Sequence, residues 1–262
     1  MFEPGSLRER ISSQTAHALR TGTLQPIATT AEYLRDGEVE FVIRVVSSLA
    51  RKPRAARRAR ARDPYLPYDD DLFVTDVSAS HVCLLNKFPV MAQHVLIVTR
   101  EFEEQESLLD EGDIDALRRC MEEFDSLGFY NSGEVAGASQ RHKHLQLLPL
   151  PLSERGSPIP TQPLIDAEAL PFAHAFSRIG NQDLHTLYAK LLERASLDAS
   201  TPYNLLMTQD WMLIVPRGQE HVAGVSINAL GFAGSLFVES TEELERLRDI
   251  GPMQVLITAA SV

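Results

Sequence analysis

Ser139-Gln140-Arg141-His142-Lys143-His144-Leu145-Gln146-Leu147-Leu148 alternates polar and apolar residues at a period of two, the pattern of a β-strand with two different faces. His142, His144, Gln146 and Leu148 then share one face, and Lys143, Leu145 and Leu147 share the other. Same-face side chains lie about 6.5–7 Å apart along a strand, so two imidazoles and one amide line up to meet one elongated ligand. Just upstream, Asn131-Ser132-Gly133-Glu134-Val135-Ala136-Gly137-Ala138 is a glycine-punctuated polar loop whose backbone N–H groups can form an anion-binding concavity. Together they place candidate nucleophiles beside a phosphate cradle. Plainer readings are half of a zinc site, a satisfied pair of core histidines, or a solvent-facing row. Cys83 and Cys120 are scattered without ligand spacing, which counts against zinc and leaves no metal site visible. A polar row of three beside a glycine loop counts against core histidines.

The rest of the chain bounds what such a site can serve. Its 262 residues suffice for one elaborate domain or two closely packed ones. A composition of 44% hydrophobic and 23% charged residues is that of a soluble globular protein. No apolar run approaches the ~18 residues of a membrane helix, and Met1-Phe2-Glu3-Pro4-Gly5 lacks a signal-peptide pattern, so no membrane partner is expected. Two cysteines without a framework fit a reducing cytoplasm. A net charge of −11 argues against nucleic-acid binding but allows one local basic site for an anionic metabolite.

Periodicity gives the elements. An amphipathic helix is expected from Ser6 to about Arg20, carrying Leu7, Ile11 and Ala18 inward. Val39–Val46 reads as a buried strand and leads into the basic run Arg51, Lys52, Arg54, Arg57, Arg58, Arg60 and Arg62. Without interleaved aromatics this run reads as a solvated loop. Lys52, directly after a strand, is the exception that can reach a polyphosphate as a point charge. Further strands are expected at Leu72–Val74, His81–Asn86, His94–Thr99, Phe129–Asn131, Tyr203–Thr208, Trp211–Val215 and Val222–Asn228. Asp113 is expected to cap a helix that buries Ile114, Leu117, Met121, Phe124 and Leu127 and stops at Gly128. Prolines 149, 151, 158, 160 and 163 mark one linker-like segment, with a helix beyond it near Gln182–Ala195. Ser240 with Glu243 forms a capping box for a last helix.

With these pieces in place, the chain resembles the ATP adenylyltransferases, or diadenosine tetraphosphate phosphorylases, of the histidine-triad superfamily. The resemblance rests on Gly137–Gln146, on Leu85-Asn-Lys-Phe-Pro-Val-Met-Ala-Gln-His94 and on Tyr130-Asn-Ser-Gly133. Beyond the prolines it continues in Trp211–Arg217 and Ser226–Gly234, so it spans most of the chain in order.

It implies an α+β histidine-triad-like fold: an antiparallel sheet with flanking helices, residues 1–160 as the nucleotidyltransferase core and 161–262 packed on it. It also implies that His144 attacks an α-phosphate to form a covalent nucleotidyl-histidine, which phosphate displaces to give ATP and ADP. Asn86 would hold ribose and Leu84 the base. Asn131, Ser132, Gly133, Ser139 and Gln140 would hold phosphate oxygens, with Lys52 on the polyphosphate. Gln146 would sit at the scissile bridge, and His142 and His94 would orient the nucleophile. Partners would be dinucleoside polyphosphate, ATP, ADP and phosphate, with Mg2+ accompanying the nucleotide as its counterion and no covalent cofactor. Galactose-1-phosphate uridylyltransferases share His-x-His-x-Gln but resemble the chain less elsewhere. A non-catalytic nucleotide sensor would not need His144.

Overall fold

The structure, a computed structural model, describes residues 2–46 and 63–261; Lys52 and the basic run lie outside the described residues. In chain order the first strands are β1 (Thr29–Asp36), β2 (Val39–Val46), β3 (Phe73–Asp76), β4 (His81–Leu85), β5 (Val95–Thr99), β6 (Ser126–Asn131) and β7 (His144–Pro149). They are followed by β8 (Ala175–Arg178), β9 (Tyr203–Met207), β10 (Trp211–Pro216), β11 (His221–Val222), β12 (Val225–Ser226) and β13 (Ser235–Val238). The helices are α1 (Leu7–Thr21), α2 (Glu111–Met121), α3 (Gln162–Asp166), α4 (Leu184–Arg194), α5 (Ala229–Phe232), α6 (Thr241–Ile250) and α7 (Pro252–Ala259).

Eight strands pair antiparallel in the order β3-β4-β5-β7-β6-β9-β10-β8, so the histidine strand lies in the interior of the sheet. The pairing β6–β9 joins strands from both sides of the proline segment. The register carries the alternation across the sheet, setting Val98 opposite His144, Leu96 opposite Gln146, and Phe129 opposite Gln146 on the other side. One face presents Cys83, Leu85, Ile97, Leu145, Leu147 and Leu205, which α1, α2 and α4 cover.

The other face is covered unevenly. Over β6, β9 and β10, the residues Leu127, Phe129, Leu206 and Leu213 pack beneath β2, β13 and helices α5 to α7. Over β4 and β5, Val82, Leu84, Leu96 and Val98 form a separate cluster with Tyr65, Tyr68 and Phe73. His144 and Gln146 fall on the seam between these clusters, where the sheet is neither bare nor filled. β2 belongs to a small second sheet of order β1-β2-β13, in which β13 runs parallel to it.

Several boundaries differ from the sequence expectations. The helix cap is Asp110, whose carboxylate accepts from Asp113 N–H; Asp113 sits three residues in and completes the reciprocal box by accepting from Asp110 N–H. The helix stops at Met121, and Gly128 lies inside β6 rather than ending α2. A Cβ there would come within 2.8 Å of Met121 Sδ and 2.9 Å of Leu117 Cδ1, so glycine permits the close approach of helix to strand. Residues Val222–Asn228 form a two-stranded turn of β11 and β12 rather than one strand. Ser240 does cap α6, but α7 follows it. The proline segment is packed, with Leu152, Ile159 and Thr161 buried.

Candidate active site

His144 is the first residue of β7 and is held by its backbone as well as its ring. β6 pairs with β7 only as far as Phe129 opposite Gln146, and then diverges into the glycine loop. The buried Gln105 amide bridges the gap. Its Oε1 accepts from His144 N–H at 2.8 Å, and its Nε2 donates to Asn131 O at 2.9 Å and His144 O at 3.2 Å. The imidazole Nδ1 lies 2.8 Å from His142 O. A carbonyl only accepts, so Nδ1 carries the proton and Nε2 keeps its lone pair. Burial pushes the ring down to about 4, further than the bond to His142 O raises it, so the neutral tautomer holds throughout the neutral range.

His142 lies outside β7, in an isolated bridge with Glu104, and its fully buried ring does not meet the cavity. Nδ1 is 2.8 Å from Asp63 Oδ2 and Nε2 is 2.8 Å from Thr99 O. Of the row expected to face ligand, His144, Gln146 and Leu148 line the cavity, and His142 meets His144 through its carbonyl. The Tyr65 ring sits 5.4 Å from the His144 ring and 5.6 Å from that of His142. Burial, with Asp63 adding to it, raises its phenol well above the ordinary value and keeps it neutral.

Gln146 Oε1 lies 2.9 Å from His94 Nε2, while His94 Nδ1 lies 3.1 Å from Asn86 Nδ2, and Asn86 Oδ1 accepts from Phe88 N–H at 3.1 Å. His94, too, is driven down to about 4, mainly by burial. Both of its ring nitrogens are thus bonded to Gln146 and Asn86 rather than to His144.

These groups open on a cavity of about 520 Å³. Its apolar lining includes Ile27, Leu84, Leu96, Met91 and Phe88, and the rest of the wall includes Asn86, His94, Asn131, Gly137, Ser139, Gln140, Arg44, His144, Gln146, Ser226 and Asn228. The loop contributes less than expected. Ser132 N–H donates to Tyr203 O, Gly137 N–H to Glu134 O and Ala138 N–H to Gly133 O, so these donors are spent internally. Ser132 and Gly133 do not reach the wall, and a Cβ on Gly133 would lie 2.6 Å from the Glu106 side chain. The cradle therefore narrows to the Ser139–Gln140 end. Asn131 Oδ1 accepts from Asn204 Nδ2 at 2.8 Å and Ala229 N–H at 2.9 Å, so its NH2 is the part left for the cavity.

Behind β7, Lys143 is the charged residue of the opposite face. Its Nζ lies 2.6 Å from Glu103 and 3.0 Å from Asp113, which also meets His81 Nε2 at 2.9 Å. Burial opposes both charges, but the bonds outweigh it, raising Lys143 and lowering Asp113. Among the described residues, no three His, Cys, Asp or Glu side chains converge as metal ligands, and no helix is long and apolar enough to cross a membrane.

Asp63, Tyr65, Thr99, Gln105 and Arg44 are site residues that sequence reasoning missed. Asp63 and Tyr65 flank Pro64 ahead of β3, and Gln105 lies 39 positions from the residue it clamps.

Known proteins share the sequence pattern and fold of this chain. The Ap4A phosphorylase N-terminal domain matches residues 1–167, and the ATP adenylyltransferase C-terminal domain matches residues 168–261. Diadenosine 5',5'''-P1,P4-tetraphosphate phosphorylase 2 of Saccharomyces cerevisiae is 29% identical over 93% of this chain and 90% of its own length. Protein APA1 of the same organism is 26% identical over 95% of this chain and 92% of its own. The crystal structure of yeast Ap4A phosphorylase Apa2 in complex with Ap4A superposes with a TM-score of 0.85 at 26% identity, covering 99% of this chain and 98% of that one. The complex of the same yeast enzyme with AMP gives 0.81 at 26% identity, with the same coverage. Matched along both halves and in fold, the chain belongs to the Ap4A phosphorylase family.

Proposed function

We propose that this chain phosphorolyses diadenosine tetraphosphate to ATP and ADP, and runs the reverse reaction, through a nucleotidyl group carried on His144. The observation that carries the reading is the His144 ring: Nδ1 is tied to His142 O, which leaves a neutral, unprotonated Nε2 on a residue that lines a cavity of about 520 Å³. One related yeast protein bears the name of a diadenosine tetraphosphate phosphorylase, and yeast Ap4A phosphorylase Apa2 is known in crystals with Ap4A and with AMP.

In the first step Nε2 attacks an α-phosphorus, the bridging P–O bond breaks, and ATP leaves with the electron pair. The ring is then bonded to phosphorus at Nε2 while Nδ1–H stays on His142 O, so the positive charge that develops is held by a fixed acceptor. In the second step a phosphate oxygen attacks the same phosphorus, the N–P bond breaks and ADP forms. The apolar lining around Leu84, with Asn86, takes one nucleoside; Asn131, Ser139 and Gln140 take phosphate oxygens. Lys52 is assigned to the polyphosphate by its place in the family pattern, and Mg2+ arrives on the substrate as its counterion. His142 and Asp63 hold the nucleophile's carbonyl anchor.

Incubation with diadenosine tetraphosphate, with and without phosphate, followed by product separation tests this. ATP and ADP in equal amounts, dependent on phosphate, are expected. Intact substrate in both arms would leave only a nucleotide-binding protein.

A further inference from the structure

One backbone hydrogen bond sets the orientation of every amide and imidazole in the group around His94. Phe88 N–H lies 3.1 Å from Asn86 Oδ1, and a backbone N–H can only donate, so that atom is the oxygen and the Asn86 amide cannot be flipped. Its NH2 therefore faces His94 Nδ1 at 3.1 Å, and Nδ1 must accept. A ring that accepts at Nδ1 and is neutral carries its proton on Nε2. That N–H faces Gln146 at 2.9 Å, so the Gln146 atom there is its oxygen. The Gln146 NH2 is left over, on a side chain that lines the cavity beside His144. Burial of His94, which drives the ring to about 4, keeps this sequence of donors in one direction across the neutral range.

We propose that the relay Phe88 N–H, Asn86, His94, Gln146 fixes which end of the Gln146 amide meets the reacting phosphate, making His94 a positioning residue for the departure of the leaving group. The proposal rests on the phosphorylase reading of the cavity. As the bridging P–O bond lengthens, the Gln146 NH2 donates a hydrogen bond to the bridging oxygen. The proton stays on the amide, and the oxygen departs with its electron pair as the polyphosphate anion. Were the amide reversed, its oxygen would face that growing negative charge. A free glutamine has no preference between these orientations; the relay supplies one. His94 itself touches no reacting atom in this scheme.

The test compares two substrates on the full-length protein: diadenosine tetraphosphate with phosphate, and adenosine 5'-(2,4-dinitrophenyl phosphate), whose phenolate is far less basic than the polyphosphate and leaves with little help. His94→Leu removes both relay bonds, and His94→Gln keeps an amide donor for Gln146. For the tetraphosphate, His94→Leu is expected to lower kcat by about 10²-fold, the scale of one lost transition-state donor, with KM little changed. The dinitrophenyl ester should lose less than about threefold, because its oxygen needs no such donor. His94→Gln should recover most of the tetraphosphate rate. Gln146→Leu should match His94→Leu, and the double variant should lose no more than either, as expected of residues acting as one unit. 15N NMR of the wild-type protein should show His94 protonated at Nε2 and bare at Nδ1, a readout that depends on no variant folding. Equal losses on both substrates, additive losses, or the opposite tautomer would overturn the inference while leaving an active wild type as a phosphorylase. A wild type inactive on both substrates would overturn the phosphorylase reading, and this one with it.

Discussion

At the scale of single residues, the proposed reaction makes the choice of acceptor depend on Gln146: after ATP leaves, a nucleotidyl group on His144 would face phosphate or water. A histidine at 146 could pass a proton to a leaving group and take one from water, help worth typically about 10²–10⁴-fold. A glutamine amide does not titrate and can only donate a fixed hydrogen bond. Phosphate arrives already anionic, so it needs less activation than water. Gln146→His should therefore raise AMP relative to ADP when phosphate is limiting, read by chromatography of the products. A mutant as phosphate-dependent as the wild type would place acceptor choice in the shape of the cavity instead. The alternation that placed Gln146 beside His144 was legible from residues 142–148 alone. The seating of the His142 ring was not: both its partners, Asp63 and Thr99, are remote in sequence, 79 and 43 positions away, and only the fold brings them together.

At the scale of elements, Arg217 at the end of β10 ties the catalytic half to the C-terminal cover. Nη1 donates to Asn204 Oδ1 at 2.6 Å and Ala136 O at 3.1 Å, Nη2 to Gln219 O at 2.7 Å, and Nε to Ala259 O at 3.3 Å. The side chain is fully buried, and burial lowers its pKa to about 10, so it stays charged at neutral pH with carbonyls in place of a carboxylate. Arg217→Met should cost about 3–5 kcal/mol, since buried acceptors left unsatisfied cost about 1–3 kcal/mol each. It should also raise KM for the dinucleotide, because Ala136 lies in the loop that carries Ser139 and Gln140. Thermal melts and steady-state kinetics would show both effects; a variant with unchanged melting would mean that the other bonds of the loop suffice. Apolar strands such as β5 and β10 were plain in the sequence because they are buried on both faces. Elements with mixed patterns were not. β1 is largely exposed, β8 is four residues long, and Gly128 looked like a helix stop because nothing local shows that α2 packs directly on its strand.

At the scale of the whole molecule, the seam that makes the site also makes the fold sensitive to acid. His94 and His144 each sit near 4 when folded, against about 6.5 in an unfolded chain. Between those values the unfolded chain binds protons that the folded one refuses, so stability is fully present above pH 6.5 and is lost as pH falls toward 4. At about 1.4 kcal/mol per unit, each histidine contributes up to roughly 3 kcal/mol to that loss. Asp113, with a lowered folded pKa, holds its own contribution to lower pH, so the histidines dominate the upper part of the window. Melting temperature should fall steadily from pH 7 to pH 5, and less steeply in His94→Gln. A flat profile would mean that the two rings are hydrated in solution. The same desolvated ring at 144 is where the chemistry converges. The decisive observation is the location of the nucleotidyl group when the protein meets diadenosine tetraphosphate without phosphate, is quenched without acid, and is mapped by peptide mass spectrometry. The adenylyl adduct should lie on His144, disappear into ADP when phosphate is added, and be absent from His144→Ala. No adduct, or one on any other residue, would contradict covalent transfer through His144.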